Sequence, residues 1–338
     1  MKRFEFSRAD SAADALRLAT ATGSSRFLAG GTNLVDLMKD DIERPAMVID
    51  INRLPLGAIE ETADGGLRLG ALATNADTAR HPLVTSRYPL LAAAILNGAS
   101  PQLRNAATNG GNINQRTRCY YFYDTAAPCN KREPGSGCGA IGGLTRIHAI
   151  LGASEQCIAT HPSDMCVALA ALDAQVRVSG PEGERTIAFS DYHRLPGDQP
   201  HRDNTLARGE LVTAIDLPPG DFSAHYSYLK LRDRLSYAFA LVSVAAQLRL
   251  EGGLIADARI ALGGVAHKPW RVPEAEALLN GAAPSDALFR QVAERVTAGA
   301  VGQGANDFKI ELARRAIART LRQAAAGKPQ SHTDKRIA

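Results

Sequence analysis

The chain has 338 residues, 45% of them hydrophobic and 22% charged, ordinary globular values that exclude a disordered or fibrous protein. Thirty-nine basic residues against 35 acidic ones leave a net charge of +4, too small and too scattered for a nucleic-acid binder. No run of about 20 apolar residues occurs, so no membrane insertion is expected. The N-terminus, MKRFEFSRADSAADALRLA, has no apolar run of signal-peptide length behind its basic pair, so no export signal of its own is expected. A length beyond roughly 250–300 residues predicts more than one domain.

Residues 4–6 open a short strand, and Ser11 caps a helix running through Leu16 and Leu18. A second strand over 26–29 leads into Gly30-Gly31-Thr32-Asn33, and a short helix over 34–39 follows. Residues 47–51, apolar but for Asp50, form a third strand. This β-α-β-α-β order over 1–60 predicts a small parallel sheet. From 61 to 220 the pattern changes to α+β. A strand over 67–72 is followed by short helices over 75–80 and 89–97, then a polar segment over 103–115. Residues 117–143 have weak periodicity and many Cys, Gly and Pro, the mark of a functional loop. Strand character resumes over 148–152, and Ser163 caps a helix through Ala174. Strands over 175–179 and 185–189 flank Pro181-Glu182-Gly183 as a hairpin, and 211–217 is a further strand. The break Pro218-Pro219-Gly220 is the expected domain boundary. Beyond it, strands over 224–232, 242–250 and 255–262 predict a three-stranded antiparallel sheet. Helices near 274–279, 285–297 and 307–325 follow, the last with Ile310, Ala313, Ile317 and Leu321 on one face. Residues 328–338 are expected to be a flexible tail.

Leu28-Ala29-Gly30-Gly31-Thr32-Asn33-Leu34 lies between a strand and a helix. Adjacent glycines let the backbone turn with positive φ and approach a ligand closely. Successive N–H groups there can cradle an anion, with donors added by Thr32 and Asn33. The loop fits neither a Walker sequence nor G-x-G-x-x-G, and a tight structural turn is the alternative. Thr108-Asn109-Gly110-Gly111-Asn112-Ile113 repeats the chemistry later in the chain. Two such turns suggest two walls around one dinucleotide diphosphate.

Four of the five cysteines follow the spacing Cys119-x9-Cys129-x8-Cys138-x18-Cys157. In a chain of this size without an export signal, metal or cluster binding moves ahead of disulfides. Pro128, Pro134, Gly135, Gly137 and Gly139 allow the bends that gather distant thiolates. Arg116, Arg118, Lys131, Arg132 and Arg146 are expected to lower the thiolate pKa values. Four thiolates suit a cubane cluster or a tetrahedral zinc, and spacing alone leaves both open. Cys166, beside Met165 and Val167 in the Ser163 helix, reads as a packing residue.

The segments AGGTNLVDLMK, TNGGNI, THPSDM and SYAFALVSVAA resemble the FAD-binding subunits of the xanthine dehydrogenase, or molybdenum hydroxylase, family over nearly the whole chain. The resemblance implies a two-subdomain FAD-binding fold of the p-cresol methylhydroxylase/vanillyl-alcohol oxidase type over 1–220. A CO-dehydrogenase-flavoprotein-like C-terminal domain would follow over 221–327. It implies that Phe27, Leu28, Ala29, Gly30, Gly31, Thr32, Asn33 and Leu34 wrap the FAD diphosphate, with Thr108, Gly111 and Asn112 facing it. Asp164 would accept from a flavin-side hydroxyl, where its plain reading is a first-turn helix acid. Lys230 would lie near the isoalloxazine, where its plain reading is an exposed strand lysine. The segments RTRCYYFYDT and PCNKREPGSGC resemble the insertion, here about 117–157, of the family's periplasmic aldehyde oxidoreductase branch. That likeness implies a [4Fe–4S] cluster on Cys119, Cys129, Cys138 and Cys157, and favours it over zinc.

The implied partners are a molybdenum-cofactor catalytic subunit that oxidises an aldehyde and a [2Fe–2S] subunit, forming a heterotrimer. Electrons would pass through this chain to an external acceptor, with no catalytic residue here. Periplasmic placement by co-export with a signal-bearing partner is implied as well. Two rivals stand beside this reading. A stand-alone flavin oxidase would need its own acid–base groups. A zinc-stabilised scaffold would leave both glycine loops without a role.

Overall fold

The computed structural model describes residues 1–220 and 222–334. Its first unit comprises β1 (Glu5–Arg8), α1 (Ala12–Ala21), β2 (Ser25–Leu28), α2 (Leu34–Lys39) and β3 (Met47–Asp50). The Ser11 hydroxyl accepts from the Asp14 N–H and caps α1. Helical crossovers return each strand in the same direction, so the sheet is parallel, in the order β1-β3-β2. Ala15, Ala19, Met47 and Ile49 fill the space between α1 and the sheet.

The second unit begins with β4 (Ile59–Glu61) and β5 (Leu67–Gly70). Three helices follow: α3 (Asn75–Arg80), α4 (Pro82–Arg87) and α5 (Pro89–Asn97). Proline stands at the start of α4 and α5, where its missing N–H costs nothing. The polar stretch expected over 103–115 holds parts of two short helices, α6 (Pro101–Ala106) and α7 (Asn109–Ile113), capped by Ser100 and Thr108. Then come α8 (Tyr120–Tyr123), α9 (Asp164–Ala171), β6 (Gln175–Gly180), β7 (Gly183–Ala188), α10 (Phe189–Tyr192) and β8 (Leu211–Leu217). The sheet is antiparallel, in the order β4-β5-β8-β6-β7. Every residue of α9 is buried, so it carries no amphipathic stripe. It ends at Ala171, short of the expected Ala174, because Asp173 takes a left-handed φ of 51°.

The C-terminal unit has β9 (Tyr226–Leu231), β10 (Val242–Glu251) and β11 (Leu254–Gly263), an antiparallel sheet in the order β11-β10-β9. Helices α11 (Pro273–Glu276), α12 (Asp286–Val296) and α13 (Phe308–Ala325) cover it, with Ala313, Ile317 and Leu321 buried as the periodicity requires. One core runs from Leu67 and Ile215 through α5 and α9 to Tyr228, Ala245 and Ala261, joining the second and C-terminal units.

Two expectations fail. Residues 148–152 form no strand: Ala149 N donates to Ile158 O, while Ile150 N and Leu151 N share Val265 O, a pattern no ladder makes. Within the expected tail, Gln330 N donates to Ser227 Oγ and Lys328 N to Gln323 O, so its first part is tied back. Residues 335–338 of that expected tail lie outside the described residues.

Candidate functional site

A cavity of about 1440 Å³ opens where the three units meet. Phe27, Ala29, Gly30, Gly31, Thr32, Asn33 and Leu34 line it from one side, and Thr108, Gly111 and Asn112 from another. Leu28 does not line it. Its carbonyl accepts from Ile51 N, and its side chain packs against Gly31. A Cβ on Gly30 would collide with the Ala106 carbonyl oxygen, so the first loop rests directly on the end of α6. Gly31 has a φ of 71°, which a glycine adopts without strain.

The polar side chains of these loops mostly bind protein. Asn33 Oδ1 accepts from Arg116 N at 2.9 Å, tying the first loop to the chain beyond the second. Thr108 Oγ1 accepts from Gly111 N and caps α7. Asn112 Nδ2 donates to Asn75 Oδ1 at 2.6 Å, and its Oδ1 accepts from Gln115 Nε2 and Ser163 Oγ. Asn112 thus joins the second loop to the cap of α9.

Asp164 and Lys230 both line the cavity, and both are 8% exposed. Lys230 Nζ donates to Asp164 Oδ2 at 2.7 Å and to Asn97 O at 3.0 Å. The reading of Lys230 as an exposed strand lysine is therefore wrong: β9 turns that face inward. Tyr228 donates to Asp164 Oδ1 at 2.6 Å. Burial and then the Asp164 charge hold the Tyr228 hydroxyl well above its ordinary pKa of 10. Sequence reasoning missed Tyr228, although a two-residue strand period places it on the face of Lys230.

A second, small cavity adjoins the first. Cys119, Cys129, Cys138 and Cys157 all line it, with Phe122, Ala140 and Ala159. Cys119 and Thr117 border both cavities. The cysteine segment has little regular structure beyond α8 and an isolated bridge pairing Cys129 with Cys138. Gly135 and Gly137, at φ of 89° and 99°, turn their N–H groups onto Asn130 Oδ1. Arg132 donates to the carbonyls of Tyr121 and Phe122.

Buried charge fixes the segment to the rest of the protein. Lys131 Nζ donates to Asp203 Oδ1 and to Pro200 O, each at 2.6 Å. Arg116 bridges Asp203 and Glu43, again at 2.6 Å each. Burial opposes ionisation of Asp203, but Lys131 and Arg116 together outweigh it and hold the carboxyl well below its usual range.

The basic residues do not lower the pKa values of Cys119 and Cys157 as expected. Burial pushes Cys119 up to about 12 and Cys157 up to about 11, the latter against an opposing pull from Lys131. The charges of Arg116 and Lys131 are taken up by carboxylates, and Arg146 pairs with Asp233 in solvent. A thiolate at Cys119 or Cys157 would need compensating positive charge.

No three of the four sulfurs lie within 4.8 Å of one another. Among the described residues, His161, Cys166 and His193 alone meet that limit. A tetrahedral zinc, with Zn–S bonds of about 2.3 Å, draws its sulfurs to within about 3.8 Å. The four sulfurs are thus not drawn together as a bound zinc would hold them. In the trio of His161, Cys166 and His193, His161 Nδ1 already accepts from Ser163 N, at 3.4 Å. Cys166 is fully buried and packs, as its neighbours suggested.

Residues 2–220 match the family described as the FAD binding domain in molybdopterin dehydrogenase. The chain belongs to this family of flavin subunits. Residues 225–324 of the flavin subunit match the CO dehydrogenase flavoprotein C-terminal domain. It is 50% identical over 329 residues to the aldehyde oxidoreductase FAD-binding subunit PaoB of Escherichia coli, covering 96% of this chain and 99% of that one. It is 29% identical to the glyceraldehyde dehydrogenase medium chain of Sulfolobus acidocaldarius, with 87% of each chain covered. Among solved structures, carbon monoxide dehydrogenase from Hydrogenophaga pseudoflava superposes with a TM-score of 0.76 at 27% identity, over 96% of this chain and 98% of that one. The flavin subunit is therefore part of an oxidoreductase of the molybdenum hydroxylase type, with the mixed fold of the CO dehydrogenase medium chains. The large cavity suits FAD. It exceeds the roughly 300–1,000 Å³ of a drug-sized site, and both glycine edges bring backbone to its wall.

Proposed function

We propose that this chain is the FAD- and [4Fe–4S]-carrying electron-transfer subunit of a heterotrimeric molybdenum aldehyde oxidoreductase. Its partners would be a molybdenum-cofactor catalytic subunit and a [2Fe–2S] subunit. The observation that carries the reading is a pair of adjoining cavities, one edged by two glycine loops and one lined by four cysteines, with Cys119 in the wall of each. The aldehyde assignment rests on the 50% identity to PaoB.

FAD, when bound, supplies one- and two-electron redox chemistry. The chain's own residues position it. Backbone of Ala29, Gly30, Gly31 and Thr32, with Thr108 and Gly111 opposite, receives the diphosphate. Asp164, fixed by Lys230 and Tyr228, offers a carboxylate edge to the flavin side. Because Lys230 and Asp164 neutralise each other, neither is free as a base, which disfavours the stand-alone oxidase. Cys119, Cys129, Cys138 and Cys157 hold the cluster as thiolates. Electrons arrive from the partner clusters and leave to an external acceptor. Periplasmic placement by co-export with a signal-bearing partner belongs to the same proposal, and fractionation of cells expressing the complex tests it.

The deciding experiment is analysis of the purified complex for FAD, iron and zinc. FAD with about four irons assigned to this subunit, lost in Cys119→Ser and Cys138→Ser, is the expected result. FAD without that iron would remove the cluster and keep the flavin subunit. Zinc in its place would return the segment to a structural role.

A further inference from the structure

We propose that His148 is a positioning residue for the cluster: its Nε2–H donates to the Cys119 thiolate on the flavin side and raises the cluster's reduction potential. The inference rests on the [4Fe–4S] reading above and adds to it a residue that no cysteine motif reveals.

The geometry comes first. His148 Nε2 lies 3.1 Å from Cys119 Sγ, and both residues are buried. Among the described residues this is the only side-chain hydrogen bond to any of the four sulfurs. The other donors are backbone: Ala159 N lies 3.4 Å from Cys157 Sγ, and the Phe122 and Tyr121 N–H groups face Cys119. Donation to the four sulfurs is therefore lopsided, and it favours the cysteine that borders the flavin cavity. His148 itself lines that cavity.

The direction of the bond follows from the partners of the ring. In its neutral form the ring carries one N–H. Its Nδ1 has no partner. A proton on Nδ1 would leave a buried donor unpaired, which proteins rarely tolerate, whereas an unpaired lone pair is less costly. The proton therefore sits on Nε2 and points at sulfur.

The main chain at His148 is also held. The His148 carbonyl accepts from Lys309 Nζ at 2.7 Å and from Asn306 Nδ2 at 3.0 Å. Its own N–H donates to Thr145 O, and Thr145 Oγ1 donates in turn to Gln303 O. The C-terminal unit thus anchors the main chain that carries the imidazole. A hydrogen bond donated to a ligating thiolate favours the more negative, reduced form of a cluster, and such bonds set cluster potentials.

The test is a redox titration of the cluster in the intact complex, followed by electron paramagnetic resonance, with iron quantified in each sample. His148→Leu removes the donor; His148→Gln keeps one. The expected result is a midpoint displaced to lower potential in His148→Leu and close to wild type in His148→Gln. Loss of iron in the Leu variant with retention in the Gln variant supports the same donor role. An unmoved midpoint in His148→Leu at full iron content, equal shifts in both variants, or loss of iron in both would overturn the inference and leave His148 as packing. Wild-type complex lacking the iron would overturn the cluster reading itself, a failure visible before any variant is titrated.

Discussion

The flavin cavity and the cysteine segment share a wall, yet they are held by opposite means. The cavity is edged by backbone where regular elements end: β2 runs into α2 through one glycine pair, and Thr108 starts α7 at the other. The polar side chains of its two loops are neutral amides and hydroxyls that bond their protein neighbours. The cysteine segment has almost no repeating structure, and buried charge replaces it. Lys131, Arg116, Asp203 and Glu43 clamp it from outside, and Lys309 fixes its far end through the His148 carbonyl. A backbone-built site fails by crowding. A charge-built one fails when a single partner is lost, because the other charges stay buried.

The largest effect is expected from that second kind of failure. Asp203→Asn leaves Lys131 and Arg116 short of a carboxylate, and breaking such a pair costs about 3–5 kcal/mol. Thermal melting should show a clear drop in Tm, with limited proteolysis cutting first within 117–157. An unchanged Tm would mean that the clamp is not what holds the segment. Next in size is Gly30→Ala, where the new methyl meets the Ala106 carbonyl and forces the loops apart at about 1–3 kcal/mol. FAD retained after gel filtration should fall. In Gly111→Ala the nearest atom is Thr108 Oγ1 at 3.0 Å, and the loss should be smaller. Equal losses in both would contradict a wall made by contact between Gly30 and α6.

A pH effect follows in size. Burial pushes Lys309 down to about 7 from its ordinary 10.5. The unfolded chain therefore binds more protons than the folded one between those values, and stability rises with pH across that window. Tm measured from pH 7 to 9 should climb more steeply in wild type than in Lys309→Met; parallel curves would refute the buried, weakly basic amine. The smallest effect is expected at Arg146, whose ion-pair partner Asp233 is exposed and whose guanidinium lies over the half-exposed Phe308 ring. Arg146→Ala should leave Tm and iron content unchanged, whereas any loss of iron would extend the clamp to the surface.

The same contrast decides what the sequence made legible. Helix α2 and strand β8 occupy the residues their patterns predict, because capping, glycine turns and alternation act between near neighbours. The glycine loops were visible for the same reason. The clamp was not: Lys131 and Asp203 stand 72 residues apart, and nothing local marks either as the partner of the other. The basic cluster around the cysteines was noticed but misread, since sequence does not reveal that carboxylates already occupy its charges. Residues 148–152 look like a strand because they are apolar, while their N–H groups turn to Ile158 and Val265 instead of a ladder. Tyr228 could have been found, had the period of β9 been carried two residues back from Lys230.

The grip of Lys309 on His148 spans 161 residues of chain and ties biogenesis to translation. Domains emerging from the ribosome fold from the N-terminus onward. The parallel sheet pairs strands from the first 50 residues and can form early, whereas the first glycine loop waits for α6 and Arg116. The last contacts of the cysteine segment form only after α13 has been made. Until then the main chain at His148 lacks the anchor that Lys309 gives it.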